Sequence, residues 1–277
     1  MAKMRRKRAI TKWVLFAIAL IIVAVELFPI FIIISSGFKR DLDIRNTNPF
    51  SFNPNLTSYE RVLGKSDFLP SIKNSLIVGL SSTAISLLVG AMASYGISRF
   101  RFKGRKVVSY SFLVSRMVPQ IALAVPLFML FDSLAMTDSY ISLILAYTSF
   151  NIPYVIWLLL PFFCSISYSF EEAARVDGCN RIQIFWKIFL PLTAPGLMVA
   201  AIFAFIMSWN EFIYALVLTG NSTKTAPISV NGFLGQYAPR WGQLAAAGTI
   251  ILIPVIIFTL ALQKYIIGGL TAGGVKE

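Results

Sequence analysis

From Ser139 to Phe170 the chain runs for thirty-two residues without one charged side chain. A helix that crosses a hydrocarbon core roughly 30 Å thick needs about 20 predominantly apolar residues, so this run is long enough to span a bilayer. Five more stretches qualify. Asn74–Ile97, Ile188–Asn210 and Trp241–Gln263 carry no charge, Val14–Ile34 carries only Glu26, and Val107–Phe131 carries only Arg116. An unpaired backbone group in lipid costs several kcal/mol, which leaves helices or closed barrels. Barrel strands read as short alternating segments, and no such alternation is present. The fold class is therefore all-α, a polytopic membrane protein with six transmembrane helices, read as one transmembrane domain over residues 1–277. Pro29, Pro119, Pro126, Pro153, Pro161 and Pro254 lie within the spans, and membrane bundles tolerate such breaks. Composition agrees: 57% of residues are hydrophobic and 13% are charged, against about 25% charged in soluble domains. A soluble enzyme, a disordered chain and a disulfide scaffold are excluded. With no histidine and two cysteines, imidazole metal sites and His-based catalysis are excluded too, and no metal site is expected.

Lys and Arg placement orients the spans. Residues 1–12 carry six basic side chains and no acidic one, and Ser98–Lys106 carries five, Arg99, Arg101, Lys103, Arg105 and Lys106. One span out and one back puts both segments on the same, cytoplasmic side. Gly37–Ser71 is mixed and Asp132–Asp138 is acidic, so both read as external. Both termini are then cytoplasmic. The net charge of +13 is largely topological, with phospholipid headgroups rather than nucleic acid as its partner. The basic start followed by an apolar run imitates a signal peptide, but the run is too long and Ser35-Ser36-Gly37 is a poor cleavage match. Cys164 and Cys179 fall on the cytoplasmic side, where a structural disulfide is not expected.

The segment 165–195 is more than a connecting turn. Phe170–Val176 is a helix-forming run that Gly178 stops, glycine suiting a left-handed C′ position. Asn180 is a good N-cap for a second helix, on which Ile182, Phe185, Trp186 and Phe189 share one face at helical spacing. Two short helices with a sharp bend should face the cytoplasm. On these grounds alone an interfacial amphipathic hairpin and a docking element fit equally.

Glu172-Ala173-Ala174, three residues, Gly178, nine residues, then Ile188-Phe189-Leu190-Pro191 resembles the EAA motif of bacterial ABC importer permeases. Asp177-Gly178 and Leu190–Gly196 extend the likeness to the carbohydrate-uptake, MalG-like branch. So do Ala91–Phe100, Val125–Phe128, Trp209–Phe212 and the tail Gly268–Lys276. The resemblance implies a type I ABC importer permease fold, with Glu171, Glu172, Ala173, Ala174, Asp177, Gly178, Leu190 and Pro191 coupling the spans to a cytoplasmic ATPase subunit. Glu172, near a helix start, suits the dipole and can accept a bidentate bond from a partner Arg. Ala173 and Ala174 allow close approach. Asp177 fits a cap or brace for the turn as well as a contact.

The same resemblance carries the tail 268–277 between two ATPase subunits, with Thr271, Ala272, Gly273 and Gly274 as contacts; its glycines otherwise read as a flexible end. It assigns the external loop 219–242 to the substrate-binding protein, with Gln236, Tyr237, Arg240 and Trp241 as contacts to that protein or to substrate. Intramembrane charges are functional candidates because burying them is costly. Glu26, Arg116 and Glu211 qualify, each equally as an ion pair or as part of a path, and Gln120, Asn151, Ser208 and Asn210 are polar candidates that equally suit helix–helix contacts. The implied function is one permease subunit of an ATP-driven, binding-protein-dependent carbohydrate importer of the bacterial inner membrane. It implies a second homologous permease subunit, a dimer of cytoplasmic ATPase subunits and a periplasmic or lipid-anchored binding protein. The chain has no G-x-x-x-x-G-K-[ST] segment, the loop that cradles nucleotide phosphates, so ATP and Mg belong to the partner subunits and the chain is not an enzyme. An ion-gradient-driven secondary transporter is the alternative; it calls for inverted repeats, and the EAA segment has no second copy.

Overall fold

The computed structural model describes residues 2–44, 53–65, 67–235 and 239–272, with side chains from Thr11 to Gln263 within those ranges. Fourteen helices follow one another among them: α1 (Ala2–Gly37), α2 (Asp41–Ile44), α3 (Thr57–Leu63), α4 (Phe68–Arg99), α5 (Arg105–Ser115), α6 (Gln120–Ser133), α7 (Tyr140–Ser165), α8 (Tyr168–Val176), α9 (Arg181–Ile184), α10 (Leu190–Leu192), α11 (Ala194–Trp209), α12 (Ile213–Leu218), α13 (Ala226–Asn231) and α14 (Trp241–Ala272). No strand occurs among the described residues.

Four of these helices, α1, α4, α7 and α14, are long and apolar enough to cross a bilayer unbroken. The other two spans are bent pairs. The stretch Val107–Phe131, expected as one helix, breaks between α5 and α6 with an angle of 92°. Pro119 lacks an N–H, adopts an extended conformation (φ −62°, ψ 132°) as the cap of α6, and disfavours helical geometry at Val118. The fifth span starts at Ala194 rather than Ile188, because Arg181–Leu192 meets α11 at 77°. Pro195 sits in the first turn of α11, where a missing N–H costs nothing.

The chain divides into two compact units, Met1–Ser66 with Val230–Leu252 and Asp67–Ser229 with Ile253–Glu277. In the first, α1 is exposed along nearly all of its apolar length from Trp13 to Ile34, with Ile32 half-buried. A helix apolar all round requires cover, so lipid or another subunit must supply it. Its end is fixed: the ring of Phe38 lies 4.8 Å from that of Tyr59, and the Gly242 N–H donates to Asp41 Oδ1 at 3.0 Å. The backbone of α14 stays helical through Ala272, although a flexible tail is expected from Gly268. A glycine inside a helix costs only about 1 kcal/mol relative to alanine, and a long apolar helix outlasts two of them. Gly273 and Gly274 lie outside the described residues.

The second unit is built on α4. Ser71, Ser75, Gly79, Ser82, Ser86, Gly90, Ser94 and Ser98 are buried along one seam. Small residues let helix backbones approach closely where lipid supplies no hydrophobic drive between helices. A Cβ at Gly90 would lie 2.5 Å from Val155 Cγ1 on α7, and one at Gly79 would lie 3.4 Å from the ring of Phe205 on α11. Hydroxyls add directional contacts: Ser82 Oγ and Ser208 Oγ are 3.0 Å apart, and Asn151 Nδ2 donates to Ser208 Oγ at 2.7 Å. At the end of α4 that starts at Phe68, Asn74 Nδ2 donates to the carbonyls of Ser222 (3.0 Å) and Lys224 (2.9 Å). The segment 219–229 is thus folded onto α4 rather than looping freely.

Candidate functional site

The opposite end of α4 meets the segment 165–195. Ser167 caps α8 by accepting the Ser169 N–H at 3.3 Å. One helical turn later the helix is pinned inward. Glu171 is buried and ion-paired with Arg175 one turn on, and Ala174 is buried beside Ile184, Phe185 and Phe189. Glu172, Ala173 and Val176 face outward. Glu171, not Glu172, is the acidic residue of the first turn, because α8 begins at Tyr168; the dipole favours Glu171 more.

Gly178 terminates α8 as its composition suggests. Its φ is +82°, a left-handed geometry that costs an L residue with a Cβ roughly 1–2 kcal/mol. The Gly178 N–H donates to Arg175 O (3.0 Å) and the Cys179 N–H to Ala174 O (2.9 Å), which is the paired bonding of a Schellman end. Asn180 then opens α9 with a full capping box. Its Oδ1 accepts the Gln183 N–H at 2.9 Å, and Gln183 Oε1 accepts the Asn180 N–H at 2.8 Å. Two capped helices separated by the four residues Asp177–Asn180 give a stiff hairpin.

The second helix departs from the expected face. Phe185 and Phe189 are buried, but Ile182 and Trp186 are exposed, and Ile184 is buried instead. The cause is a π-helical turn over Phe185–Phe189, whose wider winding shifts side-chain register relative to a 3.6-residue period. Phe189 stacks on Phe163 at 6.3 Å and lies edge-on to Tyr95 at 4.9 Å. Leu190 is half-buried, Pro191 is exposed, and Pro191 stands in the first turn of α10. Thr193, fully buried, donates its hydroxyl to Phe189 O at 2.8 Å.

Sequence reasoning passed over Arg99 except as a topological charge. It is buried, and its Nη2 donates to the carbonyls of Phe163 (2.9 Å) and Ile166 (2.6 Å) at the end of α7. An arginine directly after an uncharged span was the available signal.

The path candidates separate. Arg116 and Gln120 line one cavity of roughly 390 Å³ with Ser149, Pro153, Met207 and Tyr214. The Arg116 guanidinium lies 4.2 Å over the Tyr154 ring. Asn151 and Glu211 are buried in intramolecular bonds: Glu211 accepts the N–H groups of Tyr214 (2.7 Å) and Ala215 (3.1 Å) and so caps α12. Asn210 turns its amide onto Ile206 O at 2.9 Å. Glu26 is exposed on α1.

Arg240 and Trp241 are exposed at the start of α14, and Gln236 and Tyr237 lie outside the described residues. Lys224, half-buried, pairs with Asp67 at 3.2 Å, and Lys39 is buried. Asp138 gathers four donors from the segment Gly220–Thr223. Its Oδ1 accepts from Gly220 N (2.9 Å), Thr223 N (2.9 Å) and Thr223 Oγ1 (2.6 Å), and its Oδ2 from Ser222 N (3.1 Å). Partial burial opposes its charge, but these bonds outweigh burial and hold the carboxyl well below the usual carboxylate range.

Four unbroken apolar helices, two bent pairs that pass the same test, and a capped helical hairpin after α7 define a multi-pass membrane protein. Residues 86–271 match the family described as binding-protein-dependent transport system inner membrane component. The chain belongs to this family of ABC importer permeases. The trehalose transport system permease protein SugB of Mycobacterium tuberculosis is 35% identical over 259 residues, covering 92% of this chain and 94% of its own. The trehalose/maltose transport system permease protein MalG of Thermococcus litoralis is 34% identical over 275 residues, covering 98% and 99%. A chain in the crystal structure of a bacterial ABC transporter involved in the import of the acidic polysaccharide alginate superimposes with a TM-score of 0.77 at 25% identity, covering 94% of this chain and 98% of that one. The fold is that of a type I ABC importer permease, in a multi-pass protein of the inner membrane.

Proposed function

We propose that this chain forms half of a carbohydrate path through the membrane and is driven by separate ATPase subunits that grip α8. The observation that carries the reading is the outward face of α8. Glu172, Ala173 and Val176 are exposed on a helix whose other face is buried and whose ends are both capped. A face with a carboxylate and a small neighbour fits a groove that offers an arginine. The hairpin's stiffness suits a lever.

The second homologous permease subunit supplies the other half of the path, with Arg116 and Gln120 facing it across their shared cavity. ATP and Mg are held by a dimer of ATPase subunits on the cytoplasmic side, where the basic segments and both termini lie. Thr271–Gly274 reach toward that dimer. The binding protein docks on the external side, at Arg240, Trp241 and the neighbouring Gln236 and Tyr237. The carbohydrate class rests on what the relatives carry: trehalose, trehalose or maltose, and, in the structural neighbour, alginate.

The test is Glu172→Lys in the co-expressed complex. The variant should insert into the membrane normally but lose co-purification of the ATPase and lose ATP-driven uptake of trehalose or whichever sugar the wild type imports. Normal ATPase recovery with normal uptake sinks the lever assignment.

A further inference from the structure

Arg99 occupies an unusual position for a residue counted among surface cations. It is the last residue of α4, with a relative exposure of 8%. Its guanidinium carbon lies 4.5 Å from the ring centre of Tyr168, the first residue of α8, and 4.5 Å from that of Phe189, in the π-helical turn. The same group donates to Phe163 O and Ile166 O, where α7 ends. A cation there complements the partial negative charge of the α7 C-terminus. Four segments therefore converge on one side chain: α4, α7, α8 and the turn that follows α9. Nε is buried without a hydrogen-bond partner among the described residues, so the group is held by two bonds from Nη2 and by two ring faces. Tyr168 adds a second link, its hydroxyl donating to Ser98 O at 3.3 Å.

We infer that Arg99 is the joint that makes α4 follow α8, a positioning residue for the transport cycle rather than a topological charge. The inference rests on the proposed coupling role of α8. Ring faces attract a planar guanidinium without fixing its in-plane angle, and the carbonyl bonds tie the same group to the end of α7. Motion imposed on α8 through its outer face thus reaches both α4 and α7 through one residue. No other charged side chain among the described residues of α4 stands at its junction with α8.

The test uses the assembled complex, with Cys164→Ser and Cys179→Ala as background and spin labels at the exposed positions Phe170 on α8, away from the gripped face, and Met92 on α4. In the chain with Arg99 intact, the distance between labels should be narrow and the same in the nucleotide-free and ATP–vanadate-trapped states. In Arg99→Met, ATP hydrolysis should stay within about twofold, since 0.4 kcal/mol corresponds to that factor, while trapping should shift or split the distance. Arg99→Lys keeps the charge but not the planar stack and should restore part of the single distance. Tyr168→Leu, which leaves the cation in place, should loosen it to a lesser degree, and it decides the matter where Arg99→Met fails to assemble. One unchanged distance in Arg99→Met, or hydrolysis and distance order lost together in both Arg99→Lys and Tyr168→Leu, overturns the joint. A wild-type complex that neither hydrolyses ATP nor binds an ATPase overturns the coupling role of α8 itself, a separate result.

Discussion

Asp138 offers the most quantitative check on the structure, because its environment can be altered without moving the backbone. Its φ is +51°, a region that Asn shares with Asp at little cost. Asp138→Asn therefore changes chemistry and not conformation. The remaining oxygen can still accept from Gly220 N, Thr223 N and Thr223 Oγ1, but these bonds lose their charge. The new amide group faces the Ser222 N–H, donor against donor. Charge-assisted bonds are roughly twice as strong as neutral ones, and bonds to charged groups contribute about 1.5–3 kcal/mol each. Three weakened bonds and one lost would sum to about 4 kcal/mol in a dry site. Water reaches this one, so about 2–3 kcal/mol is expected. For domains of about 150–250 residues, 1 kcal/mol shifts Tm by about 2–4 °C, which gives a fall of about 5–10 °C at pH 7 by intrinsic fluorescence in detergent. The sign of the pH dependence follows from the depressed carboxyl. The wild-type advantage is full above the unfolded value, about 3.9 for Asp, and is lost as pH falls through the lower native one. The gap between wild type and Asp138→Asn should hold at pH 5 and narrow only below about pH 4. A fall of less than about 2 °C at pH 7, or a gap that closes between pH 7 and pH 5, refutes the reasoning.

Gly90→Ala should destabilise the α4–α7 seam by about 1–3 kcal/mol, the usual range for overpacking, since its Cβ would meet Val155 Cγ1 at 2.5 Å. Adding Val155→Ala should recover most of the loss, and two penalties that simply add in thermal unfolding would contradict the seam. Gly178→Val should uncouple ATP hydrolysis from uptake while membrane insertion is kept. No atom lies within 4 Å of a Cβ built there, so the strain is in the backbone alone. Gly178→Asn, which tolerates the left-handed region, should stay close to wild type; equal damage from both variants would count against the turn.

The spans were legible because lipid admits so few solutions: uncharged runs of this length become helices whatever their order. The hairpin's caps were legible for a local reason. Gly178 acts through its own backbone and Asn180 through its side chain and N–H, each within three residues of itself. What escaped was whatever depends on phase or on distant partners. The π-helical turn re-registers Ile182 and Trp186 outward, and nothing in the run Phe185–Phe189 marks a wider winding. The break ahead of Pro119 was signalled by a proline, but five other prolines within spans, Pro29, Pro126, Pro153, Pro161 and Pro254, bring no such break. Asn151 and Glu211 drew notice as polar residues in apolar runs, yet their partners, Ser208 and the first turn of α12, become visible only in three dimensions. The serine and glycine seam of α4 was present in the composition of that span but reads as noise until α7 and α11 are laid against it.

The contrast between Glu171 and Glu172 shows how much function hangs on helical phase. The two are neighbours with the same carboxylate, set about 100° apart by 3.6 residues per turn. Glu171 faces inward, paired with Arg175, and its Oε2 is buried with no hydrogen-bond partner among the described residues. Such a group is costly to bury, so α8 sits where its inward face is held by more than that one pair: by Ala174 in the aromatic cluster, and by Tyr168 over Arg99. These contacts fix the rotation of α8 and thereby aim Glu172 outward. Glu171→Gln should leave Glu172 in place, because the aromatic contacts remain, whereas Ala174→Leu should turn the helix and misdirect Glu172 without touching it. Loss of ATPase binding in Ala174→Leu but not in Glu171→Gln would locate the aiming in the apolar contacts; the reverse would place it in the ion pair.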